Sequence, residues 1–150
     1  MRFIRNLPVA EFSQILLNWT TVEAFLRKPR IDLVINFNIS GVLRNKDIQD
    51  NEASLNGFFG DEGWKSILDK APRSDSDSAV EVRRRLFREY YLEKIKNFKS
   101  EVTPKLLYTD LNAPLYYLIY VSPFPVGSKI WKDITDIKKY STLNGTVCDD

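Results

Sequence analysis

Between Leu115 and Val121 the chain runs seven residues without a charge, Leu-Tyr-Tyr-Leu-Ile-Tyr-Val, rich in aromatic and β-branched side chains. The run is far shorter than the about 20 apolar residues that a membrane-spanning helix needs, and it reads as a strand covered on both faces. Ser122-Pro123-Phe124-Pro125 then breaks the sheet, because neither proline can donate to a ladder. Gly127-Ser128 leads into Lys129 to Ile134, where Ile130, Trp131 and Ile134 recur at helical spacing. Any fold open to this chain must therefore set a buried strand directly before a helix.

Composition removes several mechanisms. A chain of 150 residues fits one domain, and 43% hydrophobic and 13% aromatic residues supply a core. There is no His, which excludes an imidazole base, a Ser-His-Asp or Cys-His nucleophile and the usual mixed zinc sites within this chain. The single cysteine, Cys148, can form no intrachain disulfide and no four-cysteine site. A net charge of +2 is too small to argue for nucleic acid by itself. Met1-Arg2-Phe3-Ile4-Arg5-Asn6 is interrupted by charge before any long apolar run, so the expected compartment is the cytoplasm, with no membrane involved.

Glu11 to Arg27 carries Phe12, Ile15, Leu16, Trp19, Val22, Phe25 and Leu26 at amphipathic-helix spacing, and Lys28-Pro29 ends it. Ile31 to Phe37 follows, and its consecutive aliphatics fit a central parallel strand better than an edge. Short helices are expected at Glu52 to Phe59, closed by Gly60, and at Glu62 to Leu68. A long helix is expected at Ala79 to Phe98, capped by Ser78 with Glu81 completing a capping box. Lys105 to Thr109, the turn Asp110 to Pro114 and the Leu115 run make a hairpin. The fold class is α/β: a partial Rossmann-like mixed sheet, a central parallel strand plus a C-terminal antiparallel hairpin, flanked by helices. Residues 1–140 read as one domain and 141–150 as a flexible tail.

Four pieces in order point to a family: Ile31 to Phe37 followed by Ser40-Gly41-Val42-Leu43-Arg44, then Phe58-Phe59-Gly60 with Trp64, then Leu115-Tyr116-Tyr117-Leu118, then Ser122-Pro123 and Gly127 leading to Trp131. Together they resemble the C-terminal half of the three-Cys-motif partner proteins (TcmP), over roughly Arg30 to Ile134. The resemblance implies a class I, Rossmann-type methyltransferase-like domain and a radical-SAM-like partner carrying three cysteines. It also implies S-adenosylmethionine as cofactor of a complete protein, held by a glycine-rich turn and an acidic residue in the N-terminal half. Neither is found here: the six glycines stand at 41, 57, 60, 63, 127 and 145, with no G-x-G. The expectation is thus a chain that corresponds to the C-terminal part alone, or a relative that has lost the cofactor half, and that transfers no methyl group by itself.

Candidate substrate-binding residues follow from the strand end. Asn36, Phe37 and Asn38 stand where open α/β sheets bind ligands, and where amino-methyltransferases place an Asp/Asn-Pro-Pro-aromatic motif, whose prolines are missing here. Ser40 belongs to the same loop, and Arg44 offers a planar fork for phosphate or carboxylate. The simpler account of these residues is a polar strand end over a core phenylalanine, and an exposed loop arginine. Arg83-Arg84-Arg85 with Arg88 could touch a nucleic-acid backbone, but Asp75, Asp77, Glu81 and Glu89 favour a solvated, salt-bridged face. The alternative function is a non-catalytic interaction module or self-associating subunit, since a sheet lacking its first strands would expose apolar surface near Val34.

Overall fold

A computed structural model of the chain describes residues 17–136. The start of the expected Glu11 to Arg27 helix, Cys148 and the expected tail at 141–150 lie outside them. The order is α1 (Trp19–Leu26), β1 (Leu33–Phe37), a 3₁₀ turn (Ser40–Val42), α2 (Asn45–Asp50), α3 (Glu52–Phe59), α4 (Lys65–Leu68), α5 (Asp77–Lys96), β2 (Glu101–Tyr108), β3 (Pro114–Ser122) and α6 (Pro125–Asp136). The class is α/β, with a three-stranded sheet between helices.

The sheet order is β1-β3-β2, so the uncharged run forms the central strand. Both pairings are antiparallel, Leu33 opposite Val121 through Phe37 opposite Tyr117 on one side, and Glu101 opposite Ser122 through Tyr108 opposite Pro114 on the other. The expected mixed sheet with a central parallel strand is not shown: among the described residues the sheet is antiparallel throughout, and β1 is an edge strand. Its burial alternates, with Ile35 and Phe37 inside and Val34 56% exposed, so three adjacent aliphatics do not mean two covered faces here. β1 and β2 nonetheless run in the same direction, because each opposes β3, and the chain between them is the helical crossover α2 to α5.

One face of the sheet, Ile35, Phe37, Tyr117, Ile119 and Val121, joins a single core with Trp19, Leu26, Phe58, Phe59, Phe87, Tyr91 and Ile95. The rings of Phe37, Phe58 and Trp19 lie 5.2, 4.8 and 5.5 Å from that of Tyr91. The opposite face of β2 and β3 is covered by α6, where Trp131 stacks on Tyr120 at 5.3 Å and Ser128 hydrogen-bonds Thr103 at 2.7 Å. The three layers give β3 its two covered faces.

Several boundaries differ from the sequence expectation for local reasons. β2 starts at Glu101 rather than Lys105 and contains Pro104, which an edge strand tolerates. α6 starts at Pro125, since proline suits the first helical position, and Gly127 lies inside it against Tyr120. α5 starts at Asp77, its cap is Ser76, which accepts from the Ala79 amide at 3.4 Å, and Glu81 pairs with Arg84 instead of closing a box. Asn112 takes a positive φ of 60° in the hairpin turn, where the Thr109 amide donates to the Ala113 carbonyl at 2.8 Å.

Gly60 closes α3 as expected, with φ 77°, and a Cβ there would come within 2.3 Å of Trp19 Cδ1. Gly60→Ala should cost about 1–3 kcal/mol, read from the urea midpoint, because it combines left-handed strain with displacement of a buried ring. An unchanged midpoint would refute the close approach.

Candidate functional site

The structure disperses the five candidate residues. Asn36 is exposed on the β1 face that points away from the main core, whereas Phe37 is buried in that core, its ring 5.5 Å from Phe58 and 6.4 Å from Tyr117. Asn38 is exposed. The Ser40 hydroxyl donates to the Leu115 carbonyl at 2.6 Å, tying the loop to β3. Arg44 donates to the Asp75 carbonyl at 2.9 Å and stands 4.0 Å from the Asp77 carboxylate. Phe37 is thus packing, and Ser40 and Arg44 hold loops together.

Arg44 belongs to a clamp whose centre is Arg83, a residue expected on a solvated, salt-bridged face. Arg83 is 0% exposed. Its Nε donates to the Leu43 carbonyl at 2.5 Å, Nη1 to the carbonyls of Pro72 and Ser74 at 2.6 and 2.8 Å, and Nη2 to Asp75 at 3.1 Å. Asp75 also accepts from the Asn45 amide at 3.0 Å. One planar fork thereby satisfies acceptors from two loops that no strand or helix could pair. The signal was present in the sequence: Ala79, Arg83, Phe87, Tyr91 and Ile95 form one row at four-residue spacing, and every member is buried. Of the other arginines, Arg84 pairs with Glu81 at 2.7 Å, and Arg88 donates to the Tyr117 hydroxyl at 2.8 Å and lies 3.4 Å from Glu89. A cavity of about 300 Å³ opens beside the clamp, lined by Asn45, Gln49, Asp69, Arg73 and Arg83 among others. The clamp already engages the Asn45 and Arg83 side chains in this wall.

A second polar cluster joins Asp61, Tyr90 and Lys94. Asp61 accepts from the Tyr90 hydroxyl at 2.6 Å, from the Gly63 amide at 2.9 Å and from the Lys94 ammonium, which also donates to the Phe59 carbonyl. Burial alone would push the Asp61 carboxyl up, but Lys94, Tyr90 and the Gly63 amide together hold it below the usual carboxylate value. Burial and then the Asp61 charge push the Tyr90 phenol well above its ordinary value. Both shifts lead away from neutral pH, opposite to what a general acid or base needs, so the cluster is a tie between α5 and the loop after α3.

The largest unfinished feature is the flank along β1. On α6, Gly127, Ser128, Trp131 and Thr135 turn towards the sheet, and Asp136 takes Lys105 of β2 at 2.9 Å, which sets the charged side of the helix over β2. At about 3.6 residues per turn, Val126, Ile130 and Ile134 share the other side, the side of β1. They are 64, 53 and 54% exposed. Val34 is exposed on the same face of the sheet, where its β3 partner Tyr120 carries the Trp131 stack. The outer edge of β1 has no hydrogen-bond partner among the described residues. The apolar surface expected near Val34 is present, and α6 enlarges it.

No family model, curated protein or solved structure matches the chain. Among the described residues no group of three or more His, Cys, Asp or Glu is placed to hold a metal ion, and no helix is long and apolar enough to cross a membrane.

Arg83→Met should cost about 3–5 kcal/mol in urea unfolding, because three carbonyls and Asp75 lose their donor, and Arg83→Lys should recover only part, since an ammonium lacks the fork. Equal stability of the two variants would refute the clamp. Asp61→Asn should lower stability at neutral pH. A depressed folded-state carboxyl contributes fully above its unfolded value of about 3.9, and the contribution is lost as pH falls through the lower folded value. Wild type and variant should therefore converge below about pH 4, and a gap that persists in acid would refute the tie.

Proposed function

We propose that the chain is a non-autonomous α/β unit of the kind its TcmP resemblance implies. It would be the C-terminal part of a Rossmann-type methyltransferase-like fold, completed along β1 by another unit and inactive in methyl transfer by itself. The observation that carries this reading is the edge of β1, which has no partner among the described residues, with Val34 exposed on the sheet face that α6 covers at β2 and β3. The co-directional β1 and β2 joined by a helical crossover support the Rossmann-like part, because that connection is how parallel strands are built, here with β3 reversed between them.

The residues after β1 do not fit S-adenosylmethionine. The loop Asn38-Ile39-Ser40-Gly41 contains one glycine, a Cβ on Gly41 would meet nothing within 4 Å, and the Ser40 hydroxyl is committed to Leu115. No close-approach cradle needs that glycine, so no catalytic step is assigned to the chain. Asn36 and Asn38 remain the polar groups at the strand end that could line a substrate pocket in a completed protein.

The alternative reading, a non-catalytic interaction module, is favoured by the same flank, because an exposed apolar surface beside an unpaired strand is a docking surface. The resemblance suggests a three-cysteine radical-SAM-like protein as one occupant; a second copy of the chain is the other. Calorimetric titration of the purified chain with S-adenosylmethionine should give no binding heat up to millimolar ligand. Micromolar binding would overturn the incompleteness that both readings share.

A further inference from the structure

The two edges of the sheet are not alike. β2, one edge, carries Glu101, Pro104 and Lys105 and is interrupted by a bulge between Leu106 and Tyr108. Charge, proline and a bulge are the devices that keep an edge strand from pairing with a foreign strand. β1, the other edge, is Leu-Val-Ile-Asn-Phe: no charge, no proline, no register shift. One edge is defended and one is left able to pair.

The sequence of β1 also suits itself. Antiparallel pairing about a two-fold axis at Ile35 sets Leu33 opposite Phe37 of the second copy on the core-facing side. On the other side Val34 meets Asn36, and just beyond the strand Asp32 meets Asn38, a carboxylate opposite an amide donor. No like charges face each other, and the two Asp32 carboxylates stand about 20 Å apart along the strands. We infer that two copies of this chain join antiparallel through β1 to make one six-stranded sheet, β2-β3-β1-β1-β3-β2. This rests on the reading that the β1 flank is completed by another unit, and names that unit as a second copy.

In this register, lysines introduced at both Val34 and Asn36 would face each other twice across the axis, while both positions are exposed in the single chain. Light scattering of the full chain from about 1 to 300 μM should show a dimer that dissociates on dilution. The double variant V34K/N36K should stay monomeric over that range, its dimer at least about tenfold weaker, and should melt with the wild type when both are measured at dilutions where the wild type is monomeric. The variant V34K/N36E, which sets an ammonium opposite a carboxylate at each of the two crossings, should dimerise again. A dimer indifferent to V34K/N36K, or no recovery with V34K/N36E, would overturn the pairing. A wild type that is monomeric throughout, with fast amide exchange along β1, would overturn self-pairing and leave a different partner for the flank. A monomeric wild type with slow β1 exchange would overturn both, because the chain would then cover β1 itself.

Discussion

The Tyr91 ring is where four elements meet. It lies edge-on to Trp19 of α1, tilted against Phe37 of β1, stacked on Phe58 and edge-on to Phe59 of α3, while its own helix, α5, spans the core. Aromatic pairs contribute beyond their buried area only in such offset and edge geometries, so the ring dictates mutual angles as well as distances. Its hydroxyl has no hydrogen-bond partner among the described residues, and burial pushes that phenol far above its ordinary value. An unpaired buried hydroxyl costs free energy that the surrounding ring packing must offset.

Further along the same row, beyond the aromatic cluster, the interior holds a charge instead of a ring. Arg83 is as inaccessible as Tyr91, and it is tolerated because four acceptors converge on its guanidinium. The segments it gathers, 43–44 and 72–75, are loops without ladder partners. Arg44, a candidate ligand fork by sequence, is drawn into the same arrangement through Asp75. Within the densest positive cluster of the sequence, Arg83 acts inside the molecule, Arg88 reaches the Tyr117 hydroxyl, and Arg84 pairs with Glu81 on the surface of its own helix.

Among the described residues α6 lies over β2 and β3, and the outer edge of β1 has no strand beside it. The helix takes a salt bridge on the β2 side and leaves Val126, Ile130 and Ile134 exposed among the described residues. An enzyme site would need convergent polar groups with perturbed titration in a cleft. Of the groups whose titration is perturbed, Asp61 and Tyr90 satisfy each other, Tyr91 lies inside the core, Glu23 and Lys65 stand in ion pairs, and the exposed residues at the strand end remain apart.

The elements themselves were legible because local periodicity carries them. The uncharged Leu115 to Val121 run became the central strand, Gly60 closed its helix, and the hairpin turn fell at Asp110 to Ala113. The exposure of Val34 agrees with the apolar surface expected there from a sheet that lacks its first strands, although that premise itself is not shown. Strand direction could not, because Leu33-Val34-Ile35 has the same composition in a buried parallel strand and in a half-open antiparallel edge. The role of Arg83 was equally out of reach, although its four-residue row was visible: burial of a guanidinium depends on carbonyls from Leu43, Pro72 and Ser74, which only folding brings together. The sequence by itself determined which segments are strands and helices and which mechanisms are closed to a chain without His. Tertiary structure alone decided which strand stands at the edge, which charge lies inside and where the open flank is, because each depends on contacts between residues distant in the chain.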